Sequence, residues 1–510
     1  MQVKTTTHRV RQSMVSMLLG RPLSAIAGIF VLILLSRVLS PEDYGSYFAA
    51  WAITEILILA SNTGVIHATY RYVSASETAD GVTRPEGPIW SLLGWRVFSL
   101  ILVVVGIHFL SLDAGRLFGL PSLSQAQVSM LGIIILSEGL ARFIETVFDS
   151  MLCQGLSQIT LISRTLFRLL GIAIFLDYGD VEFGDILVIE ACATSVGALL
   201  GLVLLARLHF LAINAKTQKL SSPGIRRLLR FALPAYAAQI LVLTYGPDAL
   251  KLIVGGTGGS AVLATFGFSF ALAAVVQRYM PVNLMAGIFR PIFVVASKRD
   301  DRSAVLSALT SLLVKINWLF VFPVLIASAF GGEIILSAIS AGAYPESGVV
   351  TTLIVAAFAA VSMHLTLSMY CLAQENSWPP FVATALAVIG LPMGVYAADN
   401  FGAIGVALSY GIVELIWTLV CYCVVRFGYG ELKFIDFVGL SKFLFALLAA
   451  MMAGLIFGKS SGVSPMVLSV ICPLSFFFLI VIFKPFSAEE KGWLISVLPL
   501  SLTRIMLRIV

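Results

Sequence analysis

The sequence predicts an all-α membrane protein of about fourteen transmembrane helices. Three observations carry that prediction. Apolar residues make up 59% of the chain and charged residues only 12%, where a soluble domain carries about 25% charge. Mean hydropathy is +0.98, so too few polar side chains exist to cover a surface facing water. Apolar runs long enough to cross a bilayer, about 20 residues each, follow one another along nearly all 510 residues.

Spans are expected near 14–38, 45–67, 89–111, 127–151, 158–177, 185–206, 231–254, 260–280, 308–330, 347–372, 379–398, 403–425, 440–458 and 464–483. The first follows a basic start (Lys4, Arg9, Arg11). Its apolar run contains Arg21 and leads into a second helix, so it reads as a retained span and not a cleaved signal. The second and third spans are joined by a stretch with Arg71 and Arg84. The sixth and seventh are joined by Arg207, Lys216, Lys219, Arg226, Arg227 and Arg230. Arg290, Lys298, Arg299 and Arg302 follow the eighth, Arg426 and Lys433 follow the twelfth, and Lys484, Lys491, Arg504 and Arg508 follow the last. All these segments fall on one side. The opposite connections SPEDYG (40–45), DYGDVEFGD (177–185), GGTGGS (255–260), Ala341–Gly348 and ADNFG (398–402) hold no Lys or Arg; Arg116 and Lys459 are the only basic residues in outward loops. That asymmetry places both termini of a multi-pass membrane protein in the cytoplasm.

After the last span, Ser487 and Glu490 have the spacing of a capping box. Trp493, Leu494, Val497, Leu498, Leu502 and Met506 then alternate with Lys491, Arg504 and Arg508. This is the pattern of an amphipathic helix lying on the cytoplasmic face. A weak internal repeat joins LLGRPLSA (18–25) to LLRFALPA (228–235), each a Leu-Leu pair with a basic residue and a nearby proline. It divides the chain into 1–220 (spans one to six), 221–430 (spans seven to twelve) and 431–510 (two extra spans and the tail helix), the first two as parallel repeats.

Soluble chemistry is excluded. The outward loops are too short to fold as a domain. GGTGGS lacks the GK[ST] of a phosphate loop. The six cysteines form no CxxC and lie in apolar runs, so they read as packing residues. Neither a catalytic constellation nor a metal site emerges; the chain is expected to be no enzyme and to need no cofactor. A polytopic enzyme is the weaker reading, as is a purely structural scaffold. The net charge of +6 is spent on topology, so no nucleic-acid partner is expected.

The informative residues are the charges inside the spans: Arg21, Glu55, Arg96, Glu138, Arg142, Glu145, Asp149, Arg164, Arg168, Glu190, Asp248, Lys251, Lys315 and Glu414. Each costs about 2.5–3.5 kcal/mol at the bilayer centre; facing lipid together they would cost more than about 30 kcal/mol, which exceeds the stability of a typical domain. They must face one another or water. Glu138, Arg142, Glu145 and Asp149 lie on one face of the fourth span, and Arg164 and Arg168 on one face of the fifth. With the hairpin turning near residue 156, Asp149 is expected level with Arg164, and Glu145 with Arg168. Whether this cluster is a lock between helices or faces substrate is left even. Asp248 and Lys251, three apart, are expected to satisfy each other. Arg21 and Lys315 have no evident local partner and are candidates to hold an anion. Glu55 and Glu414 are isolated acids, candidates for ion coupling or neutral buried carboxyls. His364 reads as a packed polar residue. Candidate substrate contacts are therefore Arg21, Arg142, Arg164, Arg168, Lys251 and Lys315; candidate coupling or gating residues are Glu55, Glu145, Asp149, Asp248 and Glu414.

SRVLSPEDYGSYFAA (36–50), with Tyr44-Gly45, and the stretch from Phe322 through SAGAYPESGVVTTLIVAAF (340–358), with Gly342 and Tyr344, resemble the matching turns of Wzx-type polysaccharide and O-antigen repeat-unit flippases. These belong to the multidrug/oligosaccharidyl-lipid/polysaccharide superfamily. The resemblance covers residues 10–430 in layout. It implies two six-helix lobes in a V working by alternating access, with a polyprenyl-diphosphate-linked oligosaccharide as substrate. It implies that Arg21 serves the diphosphate, and that a polysaccharide polymerase and chain-length machinery are partners besides the lipid bilayer. The alternative is a cation-coupled multidrug antiporter of the same fold, which would favour Glu55, Asp248 and Glu414 over Arg21.

Overall fold

The computed structural model describes residues 22–69, 88–117, 123–176, 181–213, 236–284, 302–429 and 436–497, apart from single positions within them, together with Phe289, Phe293, Ala296 and Ser297. Every regular element among them is a helix: α1 (Ile26–Val38), α2 (Pro41–Ala60), α3 (Pro88–Leu117), α4 (Gln125–Ser150), α5 (Gln154–Leu176), α6 (Phe183–Ile213), α7 (Pro247–Tyr279), α8 (Pro281–Leu284), α9 (Arg302–Ile339), α10 (Ser347–Ala373), α11 (Trp378–Ala387), α12 (Gly390–Tyr429), α13 (Phe437–Ser461), α14 (Pro465–Phe483) and α15 (Ala488–Val497). Nine described helices are long and apolar enough to cross a membrane.

Local chemistry sets the helix starts. Ser40 caps α2, accepting from Asp43 N at 3.1 Å, with Pro41 in the first turn. Ser124 and Gln127 form a capping box on α4, and Ser464 with Pro465 opens α14. The box expected at Ser487 is present: Ser487 N donates to Glu490 Oε2 at 2.7 Å, and Glu490 N to Ser487 Oγ at 3.2 Å.

Glycines make the sharp reversals. Within α7 and α12 the chain leaves the helix at Gly259 (φ 82°, ψ 175°) and Gly402 (φ 56°, ψ −141°), conformations a Cβ strains. Both fall in the connections expected between spans. The second span differs from expectation. It begins at Pro41 and stops at Ala60, because Thr63 (φ 43°) and Gly64 (φ 78°) turn left-handed. Asn62 Oδ1 then accepts from Ile66 N at 3.1 Å and restarts the helical turn. Arg96, 1% exposed, donates to Ser61 Oγ at 3.0 Å and to the Ile58 carbonyl at 3.1 Å, so a cation closes the carbonyl end of α2.

The chain forms two compact units, residues 1–264 and 265–510. In the first, α4 lies at the centre and packs against α2, α3, α5 and α6. Its core joins Val65, Leu92, Phe143, Val147, Phe148 and Leu205. In the second, α9 is the hub for α10, α13, α14 and α15, and α10 packs on α12. Trp318, Phe322, Phe443 and Phe476 bind the hub, with Trp318 and Phe322 rings 5.1 Å apart and Phe322 and Phe476 rings 6.0 Å apart.

Candidate functional site

The charged face of α4 nucleates a chain of ion pairs across the first unit. Arg142 donates from both terminal nitrogens to Glu55 of α2, at 2.6 and 2.5 Å, and from Nε to Glu138 one turn back at 2.7 Å. Glu138 also accepts from Arg164 of α5, and Arg164 Nη2 reaches Glu145 at 2.8 Å. Thr160 Oγ1 donates to the same Glu145 oxygen at 3.3 Å. The result alternates in sign: Glu55, Arg142, Glu138, Arg164, Glu145. Beside it, Arg168 pairs with Glu190 of α6 at 2.6 Å. Tyr47 donates to the other Glu190 oxygen at 3.2 Å, and the Arg168 guanidinium lies 5.2 Å from the centre of the Trp51 ring.

Packing explains why these helices approach closely enough. Ser137 Oγ donates to Thr194 Oγ1 at 2.7 Å, joining α4 to α6. A Cβ at Gly197 would sit 2.1 Å from Arg164 Cγ, so this glycine makes the room in which the Arg164 stem lies. Exposure then sorts the charges. The side chains of Arg164, Glu138 and Glu190 are 7%, 5% and 1% exposed, whereas Arg142 is 31% exposed. Arg164 and Arg168 are held in protein; Arg142 is the chain's open member.

The expected pairing of α4 with α5 needs correction. Arg164 pairs with Glu138 and Glu145, not Asp149, and Arg168 pairs with Glu190, not Glu145. The helical hairpin turns between Ser150 and Gln154, about four residues before the expected centre, so every level moves by one turn. Asp149 is half-buried nearer that turn. Glu55 is not isolated, since it takes the Arg142 fork. Arg21 lies outside the described residues.

The second unit treats its charges differently. Lys315, for which the sequence shows no local partner, is 0% exposed and fully satisfied. It donates to Asp436 Oδ2 at 2.7 Å, to both Glu490 oxygens at 2.8 and 2.7 Å, and to the Pro485 carbonyl at 2.9 Å. Burial pushes the Asp436 carboxyl upward, but the Lys315 ammonium and the Gly439 N–H outweigh it and hold Asp436 below the usual carboxylate range. Glu414 meets His364, Nδ1 to Oε2, at 2.8 Å. In the first unit Lys251 donates to Asp248 at 2.8 Å, as their spacing suggests.

Glu138, Glu190, Tyr47 and Trp51 are the members that sequence reasoning did not place in the site. An acid within the apolar run of α6, as at Glu190, is the available signal; its partner Arg168 lies on another helix, where spacing along the sequence does not reveal it.

Three findings from known proteins bear on this geometry. Residues 10–247 match the family model described as "Polysaccharide biosynthesis protein". No curated protein matches the chain. Among solved structures, the chain resembles the lipid II flippase MurJ in an inward closed conformation, with TM-score 0.68 and 14% identity over 92% of this chain and 99% of that one. It also resembles an inward-facing MATE-family multidrug resistance transporter of the MOP superfamily, with TM-score 0.56 and 16% identity over 81% and 95%. A MATE transporter of Vibrio cholerae, VcmN, gives TM-score 0.53 and 12% identity over 84% and 98%. The fold is thus that of these membrane flippases and transporters, and the match to the polysaccharide biosynthesis family model fits the resemblance to polysaccharide flippases.

Proposed function

We propose that this chain is a flippase that moves polyprenyl-diphosphate-linked oligosaccharide repeat units from the cytoplasmic to the outer leaflet for surface polysaccharide synthesis. It works by alternating access in the inner membrane, with both termini cytoplasmic. One observation carries the reading: Arg142 is partly exposed while fixed between two carboxylates within the apolar part of the first unit. A guanidinium fork matches phosphate oxygens as well as carboxylate oxygens. A lipid diphosphate can therefore replace Glu55 on Arg142, with Arg142 keeping an anionic partner and Glu55 released to a proton or water. Arg164 and Arg168 hold this cation in place rather than meeting substrate, and Arg21 adds a second diphosphate contact on the strength of the family resemblance.

The test is lipid-linked oligosaccharide sorted by membrane leaflet in a strain lacking the gene. Cytoplasmic accumulation with loss of surface polymer supports the reading. Restoring the gene with Arg142→Ala should lower export about tenfold or more, since a hydrogen bond to a charged group contributes about 1.5–3 kcal/mol. Arg142→Lys, which keeps charge but loses the fork, should fall between. Full export by Arg142→Ala at normal protein level would remove Arg142 from the site. Unchanged lipid-linked sugar with raised sensitivity to cationic drugs would instead favour an antiporter, the reading supported by the likeness to MATE transporters.

A further inference from the structure

His364 and Glu414 stand apart from everything the first unit uses. His364 is on α10, well inside the helix, and Glu414 is near the middle of the part of α12 that follows Gly402. The pair is shielded but reachable, with side chains 24% and 13% exposed. His364 lies flat on Trp417, ring centres 3.5 Å apart and planes 12° from parallel. Trp417 is itself buried and anchored to α11, donating from Nε1 to Thr384 Oγ1 at 3.0 Å. The imidazole is thus fixed on one face by an indole and at Nδ1 by a carboxylate.

Among the described residues packed against the pair, none brings a competing charge to it. On α12 the facing titratable groups are Tyr410, buried one turn before Glu414, and Cys421. On α10 they are Tyr370, which accepts from Gln374 Nε2 at 3.1 Å, and Cys371. On α9, Lys315 is turned away to Asp436 and Glu490. Among the described residues, α8 and α11 carry no titratable side chain.

We propose that His364 and Glu414 form a proton-binding site in the second unit. The proton arrives at the imidazole and converts it to imidazolium against the Glu414 carboxylate; no other bond forms or breaks. Loaded, the pair has no net charge. Unloaded, it leaves a carboxylate facing a neutral ring in an apolar setting, which costs free energy unless water or another partner reaches it. The two states therefore favour different packing of α10 on α12, and histidine is the side chain that changes charge near neutral pH. A proton taken up on one side and released on the other would give the transport cycle of the proposed function its direction.

The test uses the full chain in lipid nanodiscs and the stacked indole as reporter, because an imidazolium quenches an indole it lies against. Tryptophan fluorescence of the wild type should change in a single step with pH. His364→Gln, which can still hydrogen-bond Glu414, should abolish it, as should Trp417→Phe. Glu414→Gln, which removes the carboxylate the imidazolium faces, should diminish the step. No step in the wild type, or a step that survives His364→Gln, overturns the site. In vesicles, flipping of lipid-linked oligosaccharide should depend on pH in the wild type and lose that dependence in His364→Gln. An unchanged dependence overturns its link to transport. A wild type that flips nothing at any pH while keeping the fluorescence step would sink the flippase reading and leave the proton site standing.

Discussion

Arg164 ties α5 to α4 through two acids at once. It answers Glu138 and Glu145 together, and both it and Glu138 are almost fully buried. Arg164→Ala would leave two carboxylates facing apolar surroundings. Breaking a buried pair by removing one partner costs about 3–5 kcal/mol, so thermal unfolding in detergent should show a loss of that order. Arg164→Lys should recover only part, because an ammonium cannot bridge both acids with a planar fork. A stability within about 0.5 kcal/mol of wild type for Arg164→Ala would mean that the acids are neutral and need no partner. The lesson at this scale concerns reach. The sequence identified which residues are charged and which share a face of α4, and Arg142 with Glu138 obeys that spacing. It did not identify partners, because an arginine side chain spans about one helical turn and a four-residue error in the hairpin reassigns each pair.

Helix ends decide how α13 and the short α15 attach to α9 in the second unit. Asp436 caps α13 through Gly439 N at 2.9 Å and at the same time receives Lys315 from α9. Glu490 closes the box on α15 while receiving the same ammonium. One buried lysine therefore ties α9, α13 and α15 together. Because the folded-state value of the Asp436 carboxyl is depressed, its contribution is complete above the ordinary value of about 3.9. It is lost as pH falls through the lower folded value. Acid unfolding of the wild type should include this loss below about pH 4, and Asp436→Asn should lack it while retaining the cap. Identical acid profiles would show that the Lys315 contact does not stabilise the folded chain. At this scale the sequence was informative where signals are local. The Ser487 box and the reversals at Gly259 and Gly402 stand where local patterning places a helix start and two connections. The end of α2 at Ala60 was hidden because its cause is not local: the buried Arg96 of α3 reaches across to close it.

Over the whole molecule, hydropathy identifies the helices, but sidedness rests on a different physical quantity, the distribution of lysine and arginine. Helix lengths alone are ambiguous here. Two of the nine long apolar helices, Gln239–Tyr279 and Trp378–Gly428, run for 41 and 51 residues, about 60 and 75 Å at 1.5 Å per residue. Each is about twice the hydrocarbon thickness of a bilayer, about 30 Å. Each also carries a glycine that breaks the helix, Gly259 and Gly402. If the chain crosses the membrane twice in each, the two breaks lie on the same side, and the basic residues assign that side to the exterior. Single cysteines placed at Thr257 and at Lys433, in a background without the six native cysteines, test this directly. A membrane-impermeant maleimide should label Thr257→Cys in intact spheroplasts and Lys433→Cys only after the membrane is opened. The reverse pattern would invert the protein and with it the direction of flipping. Labelling of both from outside would mean that the chain crosses the membrane an even number of times between them, not the five expected, and the even total inferred from the charge asymmetry would fail.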